Sequence, residues 1–301
     1  MMGKIYSLKR GIISIIALSF VMVVIVPSPL TGGVIREIGT EGLPLSTSDF
    51  SAVPQSVTEE ATKLATELFG KGQEECHNFV NQLLVTYLEA KDKDFIIVFN
   101  PGGWGWDSLK SSPGWYSIAD GIQSELDSLS YTSLLLDYQR TTDTLKGYLG
   151  EFLLELNLQQ SKAKDLAHRV QFLTESVPNL RVILTGESNG TVISDQAMNM
   201  LKDNPQVYSI QTGPPFWYKN ATLDRTLLLT SNGINPDSFS QGDFFTMVRA
   251  NLQAWFGFSR PEDSSGDVLR VLQAPGHDYW WHYSEISSQI INFLEQNFGF
   301  K

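Results

Sequence analysis

The stretch "RVILTGESNGTVISDQAMNML", Arg181–Leu201, decides how the rest of the chain is read. It opens on a short, continuous apolar run, "RVILTG", and closes on "TVISDQAMNML", which suits a helix. Between them lies Gly186-Glu187-Ser188-Asn189-Gly190. A pattern this short arises by chance, so its meaning depends on its surroundings. A strand that turns sharply into a helix brings its flanking positions together and leaves no room for a Cβ, which explains glycine at Gly186 and Gly190 as structural turn residues. At such a turn Ser188 stands above the carboxyl edge of a sheet, over a helix N-terminus that favours developing negative charge. The alternative is a hydroxyl in a plain glycine-rich loop.

Similar apolar runs occur on both sides of this stretch. They are "DFIIVFN" (Asp94–Asn100), "YTSLLLDY" (Tyr131–Tyr138), "VYSIQT" (Val207–Thr212), "TLLLTSNG" (Thr226–Gly233) and "VLRVLQA" (Val268–Ala274). Continuous apolar character means that both faces of a strand are covered, the pattern of parallel strands joined by right-handed crossovers. The separators are mostly long enough for helices. The last, "YSEISSQIINFLEQNF", puts Ile286, Ile290, Phe293 and Leu294 on one stripe. Ser56–Ala90 also reads as helical, with Glu59 three residues after a capping Ser56 and an interruption near Gly70 and Gly72. The expected fold is α/β, a mostly parallel central sheet flanked by helices, with residues 57–301 as one domain and no internal repeat.

At the amino terminus Lys4, Lys9 and Arg10 precede an uncharged apolar stretch from Gly11, and no further charge occurs before Arg36. Such a stretch is long enough for a hydrocarbon core of about 30 Å, and basic residues on one side only orient it. Residues 1–30 are therefore expected to form a transmembrane anchor or signal helix, with the body outside the cytoplasm, or secreted if the segment is cleaved. Pro27 and Pro29 interrupt the place where a cleavage site would be expected; a buried core helix is the third reading. Residues 31–56, rich in Pro, Gly, Ser and Thr, read as a flexible linker.

The chain has 33 acidic against 22 basic residues and a net charge of −11. That balance disfavours nucleic acid, whose affinity comes from phosphate neutralisation, and anionic lipid surfaces, leaving the anchor as the membrane contact. A single cysteine, Cys76, excludes an intramolecular disulfide and a cysteine-based metal cage. The four histidines include no HExxH pair, so neither a metal nor a cofactor is expected.

A nucleophilic Ser188 needs a base, an acid behind it and an oxyanion hole. His277, in "APGHDYWW", follows the last apolar run and so falls at the same sheet edge; His282 lies near the last helix, and His77 and His168 within helical segments. Asp237, just past "TLLLTSNG", is the leading acid, with Asp243, Asp137 and Asp278 as alternatives. The loop "NPGGWGW", Asn100–Trp106, offers backbone N–H groups at Gly102, Gly103 or Trp104, of which Gly103 is favoured, with Asn189 as the second donor. Trp104 and Trp106 would line a pocket or pack over the sheet edge. Phe244, Phe245, Met247, Leu252, Trp255 and Phe256 would form an apolar wall or a helix on the core.

The order Ser188, Asp237, His277, with "GESNG", "NPGGWG" and "GHDY", resembles the α/β-hydrolase superfamily over roughly residues 93–298. The resemblance implies an acyl-enzyme on Ser188, proton relay by His277, Asp237 as the acid, and release of an acid product by water. It points to a carboxylesterase or lipase-like serine hydrolase on a small-molecule or lipid-like acyl substrate. Thioesters, lactones and amides would use the same triad. Where the family's loop commonly begins His-Gly, Pro101 stands in place of the histidine. The alternative is a catalytically inactive binding or scaffold protein on the same fold, exposed outside the membrane.

Overall fold

A computed structural model describes residues 36–38, 49–70, 74–103, 105, 107–140, 160–221, 223–256, 266–268 and 272–299. All of them fall in the unit Val34–Lys301. At the centre of its sheet runs β2, Phe95–Asn100, with all six residues buried. Its side chains alternate as a strand's must: Phe95, Ile97 and Phe99 enter one core and Ile96 and Val98 the other. Strand β3 (Ser133–Tyr138) pairs on one side and β4 (Arg181–Glu187) on the other. Outside β3 lies β1 (Arg36–Ile38), and outside β4 lie β5 (Val207–Thr212) and β6 (Thr226–Leu229). Every pairing in this sheet is parallel.

Helices α1 (Gln55–Phe69), α2 (Glu74–Ala90), α4 (Gln160–Ser176) and α5 (Asn189–Met200) bury their apolar stripes in the core that holds Ile96, Val98, Val182 and Leu184. On the opposite face α3 (Pro113–Ser128) and α8 (Ser284–Phe298) cover Phe95, Ile97, Phe99 and Ile183. The stripe of Ile286, Ile290, Phe293 and Leu294 is buried as its spacing predicts. A parallel sheet between two helix layers is the expected α/β arrangement. The chain leaves β2 toward β3 and then crosses back to β4, so the strand order reverses between β2 and β4. In open parallel sheets that reversal opens a crevice at the carboxyl ends, the usual place for a ligand.

The structure departs from the sequence reading in several places. Strand β1 lies within the stretch read as a linker, because its backbone adds to β3 in register. Gly70, at φ 81, ends α1, and Pro54, not Ser56, precedes that helix. The run Val268–Ala274 does not join the main sheet. Its described part forms a two-residue antiparallel pair, β7 (Asp267–Val268) with β8 (Leu272–Gln273). Asn251 takes up the backbone there: its Nδ2 donates to Gln273 O at 3.0 Å, and Gln273 N donates to its Oδ1 at 3.1 Å.

The expected membrane-spanning or signal helix, and with it the membrane partner and the placement outside the cytoplasm, is also corrected. Among the described residues no helix is long and apolar enough to cross a membrane. The longest, α2 and α4, have 17 residues, about 26 Å of helix against the roughly 30 Å of a hydrocarbon core, and both carry charged residues. Residues 1–30, on which that expectation rested, lie outside the described residues.

The sheet's centre should dominate stability. Ile97→Ala, at a position 0% exposed, is expected to cost about 2–5 kcal/mol in urea unfolding. Val248→Ala, at a position 58% exposed, should stay within about 0.5 kcal/mol.

Candidate active site

Ser188 joins β4 to α5 with φ 49 and ψ −120. A side chain in such a region costs about 1–3 kcal/mol and persists only where its surroundings impose it. Here they do. Ser188 N–H donates to Thr212 O on β5 at 3.0 Å, and Thr191 donates to Ser188 O through N at 2.9 Å and Oγ1 at 2.7 Å. A Cβ on Gly186 would stand 2.8 Å from the Gly190 carbonyl and from Thr191 Cα, and one on Gly190 would run into the Asn100 carbonyl oxygen. Both glycines of the pentapeptide therefore sit where backbone meets backbone. Asn100, fully buried at the end of β2, braces the turn: its Nδ2 donates to Thr185 O at 3.0 Å and to Ser194 Oγ at 2.9 Å.

Of the four candidate acids, Asp237 meets a histidine. Its Oδ2 lies 2.8 Å from His277 Nδ1 and also accepts from Tyr279 Oη at 2.7 Å and Ser240 Oγ at 2.8 Å. Its Oδ1 accepts from Phe239 N and Ser240 N, at the start of the short helix α6 (Ser238–Gln241). Burial alone would raise this carboxyl, but the hydrogen bond and charge of His277, with the bonds from Ser240 and Tyr279, outweigh it and hold the group below its ordinary value. The ionised carboxylate only accepts, so His277 Nδ1 must donate, and in the neutral imidazole Nε2 carries the lone pair. Tyr279 is held well above its ordinary value by burial first and by the Asp237 charge second, so it remains a neutral donor.

The other candidates have different work. Asp137 is buried and accepts from Leu109 N at 3.0 Å. Asp243 is exposed and caps α7 (Phe244–Trp255) by accepting from Thr246. Asp278 binds Asn232 Nδ2 and Tyr283 Oη. His282 is exposed beside Trp280 and Tyr283, and His77 and His168 lie on α2 and α4.

The serine and the histidine both lie against the carboxyl end of β5. Thr212 accepts the Ser188 N–H, and a Cβ on the next residue, Gly213, would lie 2.7 Å from His277 Cε1 and 3.1 Å from Asp237 Oδ2. Among the described residues no hydrogen bond joins Ser188 Oγ to the His277 ring; each residue is less than a tenth exposed.

On the other side of Ser188 the loop after β2 comes close. A Cβ on Gly102 would stand 3.3 Å from Ser188 Cβ. Gly103 is one residue further on, at φ 54, and its carbonyl accepts from Asn189 Nδ2 at 3.2 Å. Both loop glycines therefore reach the turn, Gly102 against the serine and Gly103 against its neighbour Asn189. Trp104 and Trp106 lie outside the described residues.

Beyond His277 the surroundings are aromatic. Phe239 meets the imidazole edge-on at 4.9 Å, Trp217 meets Phe239 at 5.4 Å, and Phe216 meets both Trp217 and Phe244 at 4.8 Å. Of the expected apolar wall, Met247 packs with the small core of Phe239, Val268 and Ala274, while Phe245, Trp255 and Phe256 are exposed. The short segment after β5 is pinned to α5 because Asp195 accepts from Tyr218 Oη at 2.8 Å and from Ala221 N.

Sequence reasoning missed Tyr279 and Gly213. Tyr279 had a signal: two residues from His277 in an extended stretch, it lies on the same side of the chain. Gly213 had none, because its role comes from a residue distant in sequence.

No protein-family model and no curated protein sequence matches this chain. Among solved structures it is similar to a Trichoderma reesei cutinase in complex with a C11Y4 phosphonate inhibitor, at 14% identity and a TM-score of 0.40, over 81% of this chain and 92% of that one.

Gly190→Ala should cost about 1–3 kcal/mol or more in urea unfolding, since neither carbonyl it meets can withdraw. The Asp237 carboxyl is lowered in the folded state, so its contribution to stability is complete above the ordinary value of 3.8 and is lost as pH falls from there through the folded value. The urea midpoint of the native protein should therefore drop more steeply below that pH than that of Asp237→Asn.

Proposed function

We propose that this chain is a serine hydrolase that cleaves carboxylic esters or related acyl bonds through an acyl-enzyme on Ser188. The observation that carries the reading is the commitment of His277 Nδ1 to a buried carboxylate. It leaves Nε2 as a proton acceptor at the strand ends that bear the strained serine. Ser188 Oγ would attack the acyl carbonyl while His277 Nε2 takes its proton, and Asp237 would stabilise the imidazolium that forms. Backbone N–H groups of Asn189 and Gly102 would receive the oxyanion, the first at the positive end of α5. The imidazolium would then protonate the leaving group, and a water activated by the same nitrogen would release the acid.

Among the described residues no hydrogen bond joins Ser188 Oγ to His277; one would form on substrate binding, when catalytic hydrogen bonds commonly tighten. That absence is also the observation favouring the second reading, a binding protein on a hydrolase-like fold. The aromatic series Phe239, Trp217, Phe216 and Phe244 runs outward from the imidazole and supports an apolar acyl group over a charged one.

The full chain, with Ser188→Ala and His277→Ala, should be exposed to a fluorophosphonate and to p-nitrophenyl esters. Labelling is expected in the native protein and not in Ser188→Ala, with turnover falling about 10³- to 10⁶-fold in both variants. A folded native protein with neither labelling nor turnover would leave the binding reading. Trp217→Ala should raise KM for an octanoyl ester about tenfold while changing that for an acetyl ester little, since only the longer chain reaches the ring.

A further inference from the structure

The geometry points to Arg140 as the residue that positions and polarises the loop facing Ser188, an inference that rests on the acyl chemistry proposed above. Arg140 follows β3 and is fully buried. Its Nη1 donates to Pro101 O at 2.7 Å and its Nη2 to Gly103 O at 3.3 Å, while its backbone N–H donates to Gly105 O at 3.0 Å. Its own carbonyl accepts from Lys162 Nζ on α4 at 2.7 Å. A Cβ on Gly105 would collide with the guanidinium, so the loop is shaped around this side chain. Alternate residues of the loop, 101, 103 and 105, are thus tied to one residue.

The consequence follows from peptide geometry. The Pro101 carbonyl and the Gly102 N–H belong to one trans peptide and point in opposite directions. A donor on Pro101 O therefore turns the Gly102 N–H away from the guanidinium, on the very residue that lies against Ser188. A cationic donor on the carbonyl also polarises the peptide, and its N–H becomes a stronger donor. That gain matters most when negative charge develops on the acyl oxygen, so Arg140 acts through Gly102 on kcat rather than on substrate binding. A guanidinium buried only for packing would leave no such split.

The test uses the full chain, Arg140→Met and Arg140→Lys, with ¹⁵N-glycine labelling to read the Gly102 amide. Native protein that labels with a fluorophosphonate and turns over p-nitrophenyl butyrate establishes the underlying chemistry. Against it, Arg140→Met is expected to lower kcat about 10- to 100-fold with KM changed by no more than about twofold. Its pH profile should be unchanged and its Gly102 amide proton moved upfield. Arg140→Lys, which keeps a cationic donor without the fork, should recover part of both effects; it decides the matter if Arg140→Met does not fold. An unmoved Gly102 amide with unchanged kcat in a folded variant overturns the inference, as does a loss carried by KM. If the native protein is inert the proposed function fails on its own account, and the Gly102 amide alone then decides whether Arg140 sets this loop.

Discussion

Where the first turn of α5 meets the end of β2, backbone touches backbone. Gly190 lies so close to the Asn100 and Pro101 carbonyl oxygens that no side chain fits between them. This contact seats the helix directly over the strand-order reversal, and the bond from Ser188 N–H to Thr212 closes the turn from the β5 side. The strained serine conformation is the result. A residue at φ 49 and ψ −120 is tolerated because three neighbouring strand ends and a helix leave its backbone no alternative.

A second node, Asp237, collects the other half of the site. Five donors converge on its two oxygens: the backbone of Phe239 and Ser240, and the side chains of Ser240, Tyr279 and His277. A buried carboxylate so well satisfied is held ionised and in place, and it sets the orientation and tautomer of the imidazole. Because Tyr279 and Ser240 share the load, the site's electrostatics belong to a network rather than to one ion pair. The two nodes communicate through β5, whose last residue accepts from Ser188 and whose following glycine gives the imidazole its space.

Most of the strands were legible because burial on both faces leaves an uninterrupted apolar run, as in "FIIVFN" and "RVILTG". The run Val268–Ala274 carried the same signal without joining the main sheet, since an apolar sequence specifies burial and not the partner that satisfies its backbone. Asn251 supplied that partner. His277 nonetheless comes to the sheet edge, brought there by Asp237 and Gly213 rather than by a strand of its own. The N-terminal reading shows the opposite limit: apolar length alone suggested a membrane span, and no described helix provides one.

The sequence by itself determined the α/β pattern, the turn glycines Gly186 and Gly190, and the identity of Ser188 as the residue between them. Each depends on neighbours within a few positions, where period and Cβ sterics act. Tertiary structure decided which carboxylate stands behind His277, and that Arg140 grips the loop "NPGGWG". These are contacts across 40 residues from Asp237 to His277 and 39 from Pro101 to Arg140. Sequence spacing carries no information about them, because they are set by strand order and by the depth at which each loop begins.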